Sequence, residues 1–185
     1  MISSGIDIHE LSNYKMENEN QKHCNFRRRR HWIIFTLRIV RKEGSGPFLA
    51  AIYDGKGKLI AKKANSVVSE NCSNNHAEMN TIKAAEELLG YDLSSQNLSL
   101  YVTSEPCIMC IGSIMWSGIK AVYYGVPSKR VEEITGFDEG FKPNWFEEFK
   151  KRGITVYGNI ESKLGEEVLK SYVKKGHIIY RPNRS

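Results

Sequence analysis

At 185 residues, 41% hydrophobic and 26% charged, the chain is long enough for one domain with its own core and no disulfide support. No apolar run approaches the ~20 residues that span a membrane, and Met1–Gln21 lacks the apolar centre of a secretory signal, so a soluble cytoplasmic protein is expected. The formal charge of +6 is local. Residues 1–42 hold nine Lys/Arg against four Asp/Glu, leaving eighteen against seventeen in residues 43–185. A domain that grips a phosphate backbone usually carries a basic footprint of its own. Nucleic acid is therefore a possible but disfavoured partner, and Arg27–Arg30 reads as a solvated face before it reads as a binding arm.

Residues 1–27 form a polar, basic extension with few apolar side chains, expected to be weakly ordered, and residues 28–185 form the folded domain. Phe26–Lys42 has an apolar centre at Trp32–Phe35. Its β-branched residues suit a strand and its length a helix, and periodicity alone does not choose. Gly44–Pro47 breaks the chain. Phe48–Tyr53 and Leu59–Ala64 read as a strand pair around the turn Asp54-Gly55-Lys56-Gly57. Asn65–Asn75 is a polar loop. His76–Leu89 is the best helix, with Asn74 or Asn75 as cap and Gly90 as stop.

Leu98–Thr103 reads as an apolar strand, and Pro106 opens a helix to about Ser117. Ala121–Gly125 is a buried strand, Ser128–Thr135 a short helix, Gly136–Lys142 a loop and Asn144–Arg152 an amphipathic helix. Ile154–Tyr157 is a strand, Gly165–Lys175 a helix and Ile178–Tyr180 an extended end. Strands alternating with helices imply a sheet covered on both faces.

Two short stretches carry the chemistry: His76-Ala77-Glu78 and Pro106-Cys107-Ile108-Met109-Cys110. One His and two Cys can hold one zinc ion and leave the fourth tetrahedral position to water. Both stretches fall where a helix begins, and a helix N-terminus favours the thiolate form that zinc needs. Glu78 is placed to handle protons beside that water. Two other readings compete. Cys107 and Cys110 suit a redox pair, which leaves His76 and Glu78 without a task; or Cys72 completes a closed structural zinc site. Cys24 reads as a free thiol, and His9, His23, His31 and His177 as surface residues.

The two stretches resemble the H-x-E…P-C-x-x-C signature of the cytidine deaminase-like zinc-dependent deaminases. Their 31-residue separation is typical of compact members, and the resemblance covers roughly residues 30–160. Ser104-Glu105-Pro106 through Trp116, Lys120–Tyr124, Gly136-Phe137-Asp138-Glu139, Gly46-Pro47-Phe48 and Asn65 make it similar to the bacterial guanine deaminases and plant guanosine deaminases. The resemblance implies a three-layer α/β/α fold around a mixed five-stranded sheet, one Zn2+ per subunit and a homodimer. It implies hydrolytic deamination of a purine, guanine to xanthine plus ammonia. His76, Cys107 and Cys110 would be the metal ligands, Glu78 and Glu139 the catalytic acids, and Asn65 a contact to the base.

A planar ring with polar edges needs apolar walls, for which Phe48 and Trp116 are candidates, and Ala77 joins the candidate substrate contacts. A tRNA adenosine deaminase is the alternative, then a cytosine or nucleoside deaminase. The chain departs from the family in its N-terminal extension and in its ending, Tyr180–Ser185.

Overall fold

The computed structural model describes residues 46–179. The expected element at Phe26–Lys42, the boundary at residue 27 and the Arg27–Arg30 run lie outside these residues. Five strands form one sheet: β1 (Leu49–Tyr53), β2 (Leu59–Ala64), β3 (Ser99–Ser104), β4 (Ala121–Val126) and β5 (Thr155–Tyr157). The helices are α1 (Ala77–Leu89), α2 (Ile108–Ser117), α3 (Ser128–Thr135), α4 (Trp145–Lys151) and α5 (Ser162–Lys174), with a 3-10 turn at Ser94–Gln96. The strand order is β2-β1-β3-β4-β5. β1 runs antiparallel to both neighbours, whereas β3, β4 and β5 run parallel.

The β1–β2 hairpin closes where Asp54 and two glycines stand. Asp54 Oδ1 accepts the Lys58 N–H at 2.8 Å, and Gly57 adopts φ +90°, a conformation open to glycine. All five residues of β1 are buried. Alternation sends Ala50 and Ile52 into the main core, with Leu100, Val102, Val122 and residues of α1, α2 and α4. Ala51 and Tyr53 go to the opposite face with Tyr101 and Tyr123. Both faces of the sheet are thus covered, and the fold is the expected three-layer α/β/α with a mixed five-stranded sheet.

This topology gathers the motif residues at one edge. β2, β3 and β4 all run toward it, so each delivers the residue after its last: Asn65 after β2, Glu105 after β3, Pro127-Ser128 after β4. β1 runs the other way and begins at that edge, which places Gly46 and Phe48 there. The crevice outside the carboxyl ends of the strands is the usual ligand position in such sheets.

Several boundaries differ from expectation. The N-cap of α1 is His76, not Asn74 or Asn75, and no side chain caps it. The Asn75 amide donates instead to Glu70 Oε2 at 2.6 Å. Pro106, expected in the first turn of α2, precedes its N-cap, which is Cys107. α5 begins three residues before Gly165, the expected helix start, which is instead a contact point: a Cβ there would stand 2.6 Å from Val126 Cγ2. After α5, residues 177–179 do not join the sheet, and the last residue of the expected extended end, Tyr180, lies outside the described residues.

Candidate active site

His76 and Cys107 each sit at the N-cap of a helix with extended backbone (ψ 153° and 170°), and neither side chain is used in capping. Both are therefore turned over to each other. His76 Nδ1 lies 3.5 Å from Cys107 Sγ and 3.7 Å from Cys110 Sγ, and the two sulfurs are 3.6 Å apart. A tetrahedral zinc with bonds of ~2.3 Å to sulfur and ~2.0 Å to nitrogen requires edges of about 3.5 Å (S···N) and about 3.8 Å (S···S). The observed triangle fits the ion, and these are the three side chains that group as a metal site among the described residues. Cys72 is not part of that group, so the closed four-ligand reading fails, and the triangle also favours a metal over a redox pair.

Among the three protein groups alone, hydrogen bonding with Cys110 and then with His76 holds the Cys107 thiol down at about 4. The same contact and burial push Cys110 well up. Burial opposes charge on His76, but the Cys107 hydrogen bond and charge outweigh it and raise its pKa. The α2 N-terminus adds fixed positive potential behind both sulfurs. Glu78, in the first turn of α1, is buried, and burial followed by the Cys107 charge raises its carboxyl to about 7.

His76, Glu78 and Cys107 open into a cavity of about 750 Å³, counted out to its mouth. Phe48, Asn65 and Glu139 line it as well. Asn65 is held at both ends of its residue: its N–H donates to the Phe48 carbonyl at 3.0 Å, and its Oδ1 accepts the Val67 N–H at 3.2 Å. That fixes the amide with its oxygen used and, among the described residues, its Nδ2 donors left over. Glu139, half-buried in the α3–α4 loop, takes Ser128 Oγ and Lys142 Nζ on its Oε2.

Two candidates fall elsewhere. Trp116 does not line the cavity and is 89% exposed. At 100° per residue it stands about 120° around α2 from Cys110, so the helix that aims the sulfur inward aims the indole out. Ala77 is buried in the main core and is not a cavity wall. Conversely, Phe137, Tyr172, Ile178 and Ile179 line the cavity without having been singled out. The Tyr172 hydroxyl donates to the Ile178 carbonyl at 2.6 Å, which ties the chain after α5 to the helix itself. The one sequence signal for Tyr172 was the apolar spacing Val168, Leu169, Tyr172 on α5.

The cytidine and deoxycytidylate deaminase zinc-binding region matches residues 35–126. The guanine deaminase of Bacillus subtilis is 40% identical over 97 residues, which are 52% of this chain and 60% of that protein. A tRNA-specific adenosine deaminase of Buchnera aphidicola is 34% identical over 107 residues, covering 56% and 69%. A solved guanine deaminase from Nitrosomonas europaea superposes with a TM-score of 0.70 at 36% identity, covering 76% of this chain and 81% of that one. The chain belongs to the cytidine and deoxycytidylate deaminase family of zinc-binding proteins.

Proposed function

We propose that this protein is a zinc-dependent hydrolase that converts guanine and water to xanthine and ammonia. One observation carries the reading: a single cavity brings the zinc triangle and Glu78 together with Asn65, Glu139 and the apolar wall of Phe48. Similarity to two guanine deaminases supports the choice of base. Bound by His76, Cys107 and Cys110, zinc would supply Lewis acidity and a water whose pKa falls to about 7.

The protein's own groups do the rest. Glu78, buried in the first turn of α1 beside the ligands, accepts a proton from the attacking water and returns it to the ring nitrogen beside the attacked carbon. A second proton through the same carboxyl lets the amine leave as ammonia. Asn65, its Oδ1 engaged, offers Nδ2–H to an acceptor on the base. Glu139 accepts from the amino group. Phe48 and Phe137 present carbon to the ring faces. A homodimer in the cytoplasm belongs to the same proposal and rests on family resemblance.

Ammonia release from guanine, guanosine, adenine, cytosine, cytidine and an anticodon stem-loop RNA tests it. Guanine is expected to react well ahead of the rest, and chelation to abolish the activity. Zinc-loaded protein that leaves guanine intact yet deaminates the stem-loop overturns the proposal in favour of the tRNA reading that the Buchnera relative suggests.

A further inference from the structure

Glu139 belongs to a stretch between α3 and α4 without regular structure, yet its carboxylate is held from two sides. Ser128 Oγ–H donates to Oε2 at 2.8 Å, and Lys142 Nζ stands 2.9 Å from the same oxygen. Lys142 Nζ also donates to Ser128 Oγ and lies 3.7 Å from Glu105 Oε1. Glu105 in turn accepts the Ser128 backbone N–H at 3.0 Å and the Trp145 indole N–H at 3.2 Å. Three segments therefore meet at one ammonium: the turn that leads to Cys107, the start of α3 and the loop that carries Glu139.

Lysines usually keep the ammonium in water. The Lys142 side chain is 13% exposed, and Glu139 and Glu105 are 10% and 14% exposed. At that depth an ion pair resists separation, because removal of one partner strands the other charge. The geometry also sorts the two oxygens of Glu139. Oε2 takes both donors, and Oε1 accepts no hydrogen bond from the described residues.

We propose that Lys142 is the positioning residue for Glu139: with Ser128 it holds Oε2, so that Oε1 is the acceptor presented to the exocyclic amino group of the bound base. An acceptor at that point favours an amino-bearing substrate over its carbonyl-bearing product, since only the amine has hydrogens to donate. The identity of the amine rests on the guanine reading; the anchoring of the loop does not.

The test uses the zinc-loaded full chain. Lys142→Met keeps length and removes charge. It is expected to lower kcat on guanine at least tenfold, in line with the cost of a misplaced group, while KM changes by less than about threefold. Lys142→Arg restores most of the loss. In a Glu139→Gln background Lys142→Met costs little more, because both changes remove one interaction. Ser128→Ala removes the other donor and moves kcat in the same direction, which keeps the question open to measurement if Lys142→Met does not fold. Wild-type kcat in Lys142→Met, or full additivity with Glu139→Gln, overturns the proposal.

Amide exchange of residues 136–142 without substrate supplies the second arm. It is expected to accelerate in Lys142→Met and stay native in Lys142→Arg, and unchanged exchange in both overturns the anchoring. A wild type inert toward guanine but with this exchange pattern overturns only the functional reading.

Discussion

Glu78 lies beside His76 and Cys107 with its carboxyl buried, and burial rather than any partner is the main cause of its pKa of about 7. A carboxyl near neutrality gives and takes protons at physiological pH, which a carboxyl at 4.5 does poorly. The same burial makes its ionised form a burden on the fold. The sign follows from linkage: the folded pKa is raised, so the folded state binds the proton more tightly, and stability falls as pH rises from 4.5 through 7. Glu78→Gln is expected to retain zinc, since Glu78 is not among the ligand groups, and to lose about 10²- to 10⁴-fold in kcat. In chelator-treated protein the variant should be the more stable at pH 8, by about 3 kcal/mol at most, with no difference at pH 4. Urea midpoints at the two pH values check the sign, and equal midpoints at pH 8 refute the burial argument. His76, Glu78, Cys107 and Cys110 were legible in the sequence because their chemistry lies in short local spacings. Lys142 and Ser128 were not, because fourteen residues separate two side chains that meet only in the folded chain, at each other and at the shared Glu139 carboxylate.

At the scale of elements, the link between β2 and α1 shows how a polar loop can hold a site in place. Asn80, on the second turn of α1, donates through Nδ2 to the Ala64 carbonyl at 3.1 Å, Ser66 Oγ at 3.0 Å and the Asn75 carbonyl at 3.3 Å. One amide thus pins the end of β2, the residue after Asn65 and the residue before His76. The backbone adds Ser66 N–H to the Asn75 carbonyl at 2.9 Å, closing the loop on itself. Asn80→Ala leaves these half-buried acceptors without their side-chain donor, at a cost of about 1–3 kcal/mol. It should raise KM for guanine more than it lowers kcat, because Asn65 moves with the loop while Glu78 stays on the helix. A kcat defect at unchanged KM counts against this. Element boundaries were read less well than elements. The asparagine expected as a helix cap spends its amide on Glu70, and the glycine expected at a helix start lies inside α5. Both errors have one source: capping and breaking propensities are local, whereas these residues answer to neighbours across the loop and the sheet.

Across the whole molecule, strand direction does what no local pattern reveals. The alternation of strands and helices made an α/β sheet legible, but that the ends of β2, β3 and β4 and the start of β1 share one edge depends on β1 running against its neighbours. This arrangement brings Phe48, Asn65, His76, Cys107 and Glu139 to one cavity although they span 92 positions of sequence. The walls from α5 and the residues after it were invisible beforehand, since their apolar spacing is that of any packed helix. The same arrangement turns the metal into a cross-link. His76 enters from the β2–α1 side and the cysteines from the β3–α2 side, and α1 and α2 also pack together in the core. An ion that binds the folded triangle and only weakly the separated ligands stabilises by mass action, ~4 kcal/mol when free zinc is a thousandfold above its dissociation constant. Chelation should therefore lower the thermal midpoint by several degrees and restored zinc should return it, with His76→Ala insensitive to both. The loss should be local at first: amide exchange should quicken in the first turns of α1 and α2 before it quickens in β3 or β4, whose ladder does not involve the ion. A midpoint indifferent to chelator in the wild type, at zinc contents shown to differ, would mean that the sheet and its core alone hold the two helix starts together.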